Sequence, residues 1–255
     1  MTPCPGIVRK GWLTINNIIQ VMLQVLYPVR CIVCGRVLWQ EEHGVCRECL
    51  HRIPLITGNR CLMCNKQIEA GDVYCRDCSR KKHAYESGYA MWSYNNISRK
   101  VIADIKYSGR RDGIRYIAGE LAYHAGILCR AWRVAAVIPV PLHKKKLRRR
   151  GFNQAAVIAE AFASELGLQY IDDVLYRIRN TKPQKYFDDK GRVRNLKMAF
   201  GVRKDIMEKY RDIKNVILID DIYTSGSTID ECTMVLKEAG IKKVYFICLC
   251  IGDGY

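Results

Sequence analysis

Residues 216–228 read Val-Ile-Leu-Ile-Asp-Asp-Ile-Tyr-Thr-Ser-Gly-Ser-Thr, and this stretch decides the fold. Val216, Ile217, Leu218 and Ile219 form an unbroken apolar run, the pattern of a strand buried on both faces. Asp220 and Asp221 follow where that strand is expected to end. Thr224, Ser225, Gly226, Ser227 and Thr228 are all small. Beyond them Ile229, Cys232, Val235, Leu236 and Ala239 recur at helical spacing, with Gly240 as a C-terminal cap. Val244–Ile251 is a second apolar run. Strand, loop, helix, strand is a βαβ unit, which requires a parallel sheet.

The chemistry follows from that order. Open parallel sheets bind ligands at the carboxyl ends of their strands. A tight loop of small residues there turns backbone N–H groups toward an anion, and the next helix adds the positive end of its dipole. Carboxylates do not bind phosphate, but they accept hydrogen bonds from sugar hydroxyls. One phosphate on residues 224–228, with its ribose on Asp220 and Asp221, satisfies the whole stretch. A nucleotide-binding strand of the Walker B kind also ends in acids. It needs a partner loop containing Gly-Lys, and the chain has no such dipeptide. The stretch closely resembles the phosphoribosyl-pyrophosphate (PRPP) loop of type I phosphoribosyltransferases. That resemblance assigns the ribose 2′- and 3′-hydroxyls to Asp220 and Asp221, and the 5′-phosphate to Thr224, Ser225, Gly226, Ser227 and Thr228. It also implies Mg²⁺ with the PRPP, and loss of pyrophosphate from C1 through an oxocarbenium-like state.

The 255 residues carry 42 Lys and Arg against 25 acids, a formal charge of +17, which favours anionic partners. The 13 cysteines are many for this length. Eight form two units of paired Cys-x2-Cys turns: Cys31, Cys34, Cys46 and Cys49, then Cys61, Cys64, Cys75 and Cys78. Cys61 follows Cys31 by 30 positions, which marks an internal repeat. Two such turns supply four thiolates for a tetrahedral Zn²⁺. Two structural zinc ions are therefore expected, in sequential or cross-braced pairing. Such closed sites keep no open position for catalysis. The apolar stretch Trp12 to Tyr27 is interrupted by Asn16, Asn17, Gln20 and Gln24. It reads as an amphipathic helix, too polar to span a bilayer and without a cleavage site. Thiol-rich metal units and no secretory signal place the chain in a reducing cytoplasm.

Two domains are expected. Residues 1–84 hold the N-terminal helix and a double zinc ribbon, ending in a basic linker from Ser79 to Tyr85. Residues 85–255 form an α/β domain with a phosphoribosyltransferase-like parallel sheet flanked by helices. In it Gly88 to Tyr94 and Val134 to Val140 read as strands, and Ile97 to Tyr107, Ile114 to Ala131 and Ala155 to Leu166 as helices. The turn Lys106 to Arg111 is basic. Between the strand at Val134 and the helix at Ala155 lie Lys144, Lys145, Lys146, Arg148, Arg149 and Arg150, read as a cationic loop that faces the same crevice as Asp221 and screens a pyrophosphate. The polar stretch Thr181 to Arg194 reads as a mobile lid.

Ile-Pro-Val-Pro-Leu at 138–142, Arg150-Gly151-Phe152-Asn153-Gln154-Ala155, Arg179-Asn180-Thr181-Lys182-Pro183-Gln184 and Arg194-Asn195-Leu196-Lys197-Met198-Ala199-Phe200 together resemble the signature of ComF-type competence proteins. The cysteine-rich start fits the same family, from Tyr27 onward; Ser225 stands where Thr is frequent. The resemblance implies a role in DNA uptake during natural transformation, beside a helicase-like partner. Two readings of the site stand. One is a phosphoribosyltransferase; the other is a non-catalytic module that senses PRPP or holds single-stranded DNA on its basic segments. Tyr85, Tyr89, Trp92 and Tyr94 are either stacking residues for bases or strand core.

Overall fold

A computed structural model describes residues 28–38, 44–107, 112–178 and 199–252. The expected helix at Trp12 to Tyr27 and the expected lid at Thr181 to Arg194 lie outside the described residues. The described residues up to His51 form one compact unit, and those from Arg52 onward form a second. The second unit contains the second cysteine tetrad as well as the α/β domain. The expected boundary at 84 marks a change of composition; the contacts divide one ribbon earlier.

The larger unit is built on a five-stranded parallel sheet of order β1-β7-β6-β2-β3. Its strands are β1 (Gly88–Ser93), β2 (Ala136–Pro139), β3 (Gln169–Tyr170), β6 (Asn215–Tyr223) and β7 (Lys243–Ile251). Two further strands, β4 (Leu175–Arg177) and β5 (Phe200–Val202), make a separate antiparallel pair. The central β6 and β7 are apolar where both faces are covered; Val216 to Ile219, and Phe246 to Cys250, have no exposure. Each such side chain contributes about 1.5–3 kcal/mol by leaving water.

Helices cover those faces: α3 (Asn96–Tyr107), α4 (Asp112–Ala131), α6 (Gln154–Leu166) and α8 (Ser227–Glu238); α5 (Lys144–Arg150) follows the end of β2, and the short α1 (Arg47–Leu50), α2 (Arg76–Arg80) and α7 (Lys204–Met207) lie elsewhere. The β6-α8-β7 unit matches its sequence pattern, with one difference. β6 does not end at Ile219; its pairing with β7 continues through Asp220↔Cys248 to Tyr223↔Ile251. Both acids therefore sit on a strand, held by a ladder, and not in a flexible turn.

The second ribbon covers the edge of the sheet. Gly88 N donates to Met63 O at 2.9 Å, Ile56 N to Met91 O at 3.1 Å, and Ala90 N to Asn65 Oδ1 at 3.2 Å. An edge strand left open would present unpaired backbone groups to other chains. Gly88 is needed at this seam: a Cβ there would lie 2.0 Å from the Phe246 ring. Tyr85, Tyr89 and Trp92 are buried here as core, so they are not open platforms for bases.

Candidate functional site

Two cysteine sets converge as the repeat implies, each within its own unit. Cys31, Cys34, Cys46 and Cys49 bring their sulfurs within 4.8 Å of one another, and so do Cys61, Cys64, Cys75 and Cys78. The pairing is sequential. Cys34 Sγ lies 3.8 Å from Cys46 Sγ, and Cys64 Sγ lies 3.6 Å from Cys75 Sγ. Sulfurs at the corners of a tetrahedron with bonds of about 2.3 Å stand about 3.8 Å apart, so both sets fit Zn²⁺. The thiols of the second set perturb one another strongly. Hydrogen bonds from Cys64 and Cys75 hold Cys61 far below the usual thiol range, while those to Cys61 and Cys64 push Cys78 far above it. Four packed thiols ionise together only with a cation among them. Among the described residues no histidine joins either set.

The second site lies at the carboxyl ends of β6 and β2. These strands are parallel neighbours, with Pro139 opposite Ile219. The segments that follow them therefore leave on one side of the sheet. After β6, Gly226 has φ 75° and caps α8. Only glycine fits: that φ is left-handed, and a Cβ would meet Tyr223 Oη at 2.4 Å. Ser225 Oγ and Ser227 Oγ are 2.9 Å apart, Thr224 is exposed, and Thr228 is half-buried. The loop has the hydroxyls and helix start of an anion cradle.

Asp220 and Asp221 are half-buried at the end of β6, with Asp221 N donating to Asp220 Oδ1 at 2.8 Å. Their environments differ. Burial and the neighbouring Asp221 charge push Asp220 well above the usual carboxylate range. Burial would raise Asp221 as well, but Lys106, with a smaller contribution from Arg150, outweighs it and holds Asp221 low. Lys106, on the last turn of α3, is ion-paired with Asp221.

The basic stretch after β2 is not a loop. Lys144 to Arg150 form α5, capped at its start by His143 Nδ1, which accepts from Lys145 N at 3.2 Å, and closed by left-handed Gly151. Lys and Arg are good helix formers, and the capping glycine was a visible stop signal. The helix sorts its charges. Lys144, Lys145, Arg148 and Arg149 are exposed; Lys146 and Arg150, one turn apart, are half-buried. Burial lowers the Lys146 ammonium, and the fields of Arg177, Arg150, Arg149 and Lys106 lower it further. Arg150 donates to Gln154 Oε1 at 3.0 Å and lies over the Tyr107 ring, yet its buried Nε has no hydrogen-bond partner among the described residues. A buried donor without an acceptor is costly. Beside it stand like charges that repel one another. An anion relieves both.

Six cations were expected at the crevice; the helix turns two of them, Lys146 and Arg150, inward. Lys106 was visible in sequence only as part of a basic turn, and Arg177 carried no signal. Arg177 is half-buried on β4, over the Phe200 ring at 5.0 Å, and its charge interacts with that of Asp220.

Comparison with known proteins agrees with this architecture. Residues 22–79 match the double zinc ribbon domain, and residues 147–254 match the phosphoribosyl transferase domain. Competence protein F of Haemophilus influenzae is 25% identical over 86% of this chain and 95% of its own length. The chain is similar to this competence protein over nearly the whole of both. DNA utilization protein YhgH of Salmonella typhimurium is 24% identical over 88% of this chain and 97% of its own length. Among solved structures, glutamine PRPP amidotransferase from B. subtilis aligns with a TM-score of 0.36 at 17% identity, covering 56% of this chain and 30% of that one.

Proposed function

We propose that this protein binds PRPP, or a closely related phosphoribosyl ligand, in the crevice between the loop after β6 and α5. The 5′-phosphate sits on Thr224, Ser225, Gly226, Ser227 and Thr228, and the ribose hydroxyls on Asp220 and Asp221. Mg²⁺ accompanies the ligand; the oxygens of the acid pair are the hard donors that suit it. Lys146 and Arg150 neutralise the pyrophosphate. The carrying observation is the parallel pairing of β2 with β6, which sends the small-residue loop and the cationic helix out on one side of the sheet. Departure of pyrophosphate is the chemistry such a constellation assists, by charge alone and without a nucleophile.

The cellular role follows from the relatives. Competence protein F and the DNA utilization protein are named for the handling of DNA. We infer that this chain acts in DNA uptake from the reducing cytoplasm, beside a helicase-like partner. Single-stranded DNA lies on the outer face of α5, where Lys144, Lys145, Arg148 and Arg149 are exposed. No helix among the described residues is long and apolar enough to cross a membrane.

Calorimetric titration of the full chain with PRPP and Mg²⁺ tests the reading. Saturable binding is expected, weakened roughly ten- to a hundredfold in Asp221→Ala by the loss of charged hydrogen bonds worth about 1.5–3 kcal/mol each. Equal affinity in the variant would remove the site assignment.

A further inference from the structure

The segment joining the second cysteine tetrad to β1 reads in sequence as a basic linker. In the fold it is fastened to α8. Lys81 Nζ donates to Asp230 Oδ2 at 2.7 Å. His83 Nδ1 lies 3.0 Å from the same oxygen and 3.2 Å from Oδ1, and Ala84 N donates to Oδ1 at 2.9 Å. Two turns further along α8, Lys237 Nζ donates to Ala84 O and to Glu86 Oε1, both at 2.8 Å.

Asp230 is 7% exposed, and the His83 side chain 1%. Burial would raise the Asp230 carboxyl, but the hydrogen bonds from His83 and Lys81 hold it below its usual range. Desolvating such a group offsets much of what the pairing gains, and apolar residues would fasten a linker as well. What the charged cluster adds is a fixed register between linker and helix.

That register matters because of what His83 touches. A Cβ at Gly226 would lie 3.0 Å from His83 Cε1. The His83 ring stacks on Tyr85 at 4.7 Å, and Tyr85 Oη is 2.6 Å from Tyr223 Oη. Three rings, two from the linker and one from β6, thus form a floor beneath the start of the loop at 224–228. His83 Nε2 is buried there with no hydrogen-bond partner among the described residues. On the other side, α2 carries Cys78 and is capped by Lys81, whose N donates to Asp77 O at 3.0 Å. A metal that fixes Cys75 and Cys78 fixes α2, and α2 fixes Lys81 and His83.

We propose that Asp230, His83 and Lys81 form a latch through which the second cysteine tetrad sets the conformation of the loop at 224–228. Metal loading at Cys61, Cys64, Cys75 and Cys78 and anion binding at the loop are then coupled, and by linkage each strengthens the other. His83 and Asp230 are positioning residues. The ligand half of this statement rests on the PRPP reading; the mechanical half does not.

Hydrogen exchange of the full chain, read without ligand, decides the mechanical half. Asp230→Asn keeps the shape of the side chain and removes its charge. It is expected to retain two zinc ions by elemental analysis, yet to lose protection at least about tenfold at both 81–86 and 225–229. Cys78→Ser lies outside the α/β elements. It is expected to lose one zinc and to show the same loss at 225–229. If that variant does not fold, wild-type protein stripped of zinc by a chelator takes its place. Protection at 225–229 that is unchanged in both cases, or loosening confined to 81–86, overturns the latch. In the ligand arm, Asp230→Asn should bind PRPP with Mg²⁺ about tenfold more weakly although every residue facing the ligand is intact. Absence of PRPP binding by the wild type would count against the ligand reading alone, and the exchange data would still decide the latch.

Discussion

Lys106 Nζ, on the last turn of α3, is ion-paired with the carboxylate of Asp221, at the end of β6. The pair explains why two adjacent carboxylates in a half-buried crevice are not equivalent. Asp221 is held ionised by a cation, whereas burial and the charge next to it push Asp220 toward its neutral form. Lys106→Ala should leave the acid pair without its nearest cation and weaken Mg²⁺-dependent PRPP binding about tenfold, near 1.4 kcal/mol. Calorimetry on wild type and variant checks this.

Asp220 carries a stability cost in the absence of ligand. A carboxyl whose folded pKa lies above its unfolded value is protonated preferentially in the folded state. Stability therefore falls as the pH rises past the unfolded value of about 4, and the full cost is present above the folded one. Asp220→Asn should raise the melting temperature of ligand-free protein at neutral pH, with the gain shrinking as the pH is lowered, and should weaken PRPP binding. Melting curves at several pH values test the sign. A lowered melting temperature at neutral pH would show that Asp220 is paired and not strained.

The two faces of α5 should separate by substitution. Replacing the exposed Lys144, Lys145, Arg148 and Arg149 by Ala should flatten the slope of log affinity for single-stranded DNA against log salt by roughly three units, at about 0.7 per phosphate contact. The same variant should bind PRPP normally. Arg150→Ala, on the inner face, should do the reverse. Fluorescence anisotropy across a salt series reads the first, and calorimetry the second.

Elemental analysis should find two zinc ions per chain. Cys46→Ser should lose one of them. Cys64→Ser should lose the other, and should also loosen the edge strand β1, because Met63 and Asn65 beside Cys64 accept hydrogen bonds from Gly88 and Ala90. Exchange at Gly88–Ser93 distinguishes the two variants; equal exchange in both would contradict the packing described.

Legibility varied with the range over which each signal acts. β6, its loop and α8 were readable because apolar run, small residues and helical period are contiguous. Both cysteine sets were readable for the same reason, although only the fold settles that each set closes on itself. Helix α5 reads as a loop in sequence because seven nearly all-cationic residues show no apolar period, even though Gly151 marks a stop. The split of its charges between crevice and solvent followed from that same missed helix. Asp230 and His83 are 147 positions apart, and nothing local to either residue announces the other. Lys106 is similar: it meets Asp221 only because α3 ends beside the end of β6.

The claim that most needs testing is the place of the phosphate. Backbone-amide NMR of the full chain, titrated with PRPP and Mg²⁺, reads it directly. The amides of Thr224, Ser225, Gly226, Ser227 and Thr228 are expected to shift most, together with those of Asp220 and Asp221, while the outer residues of α5 stay in place. Shifts confined to Lys144, Lys145, Arg148 and Arg149, or none at residues 224–228 under saturating ligand, would contradict it.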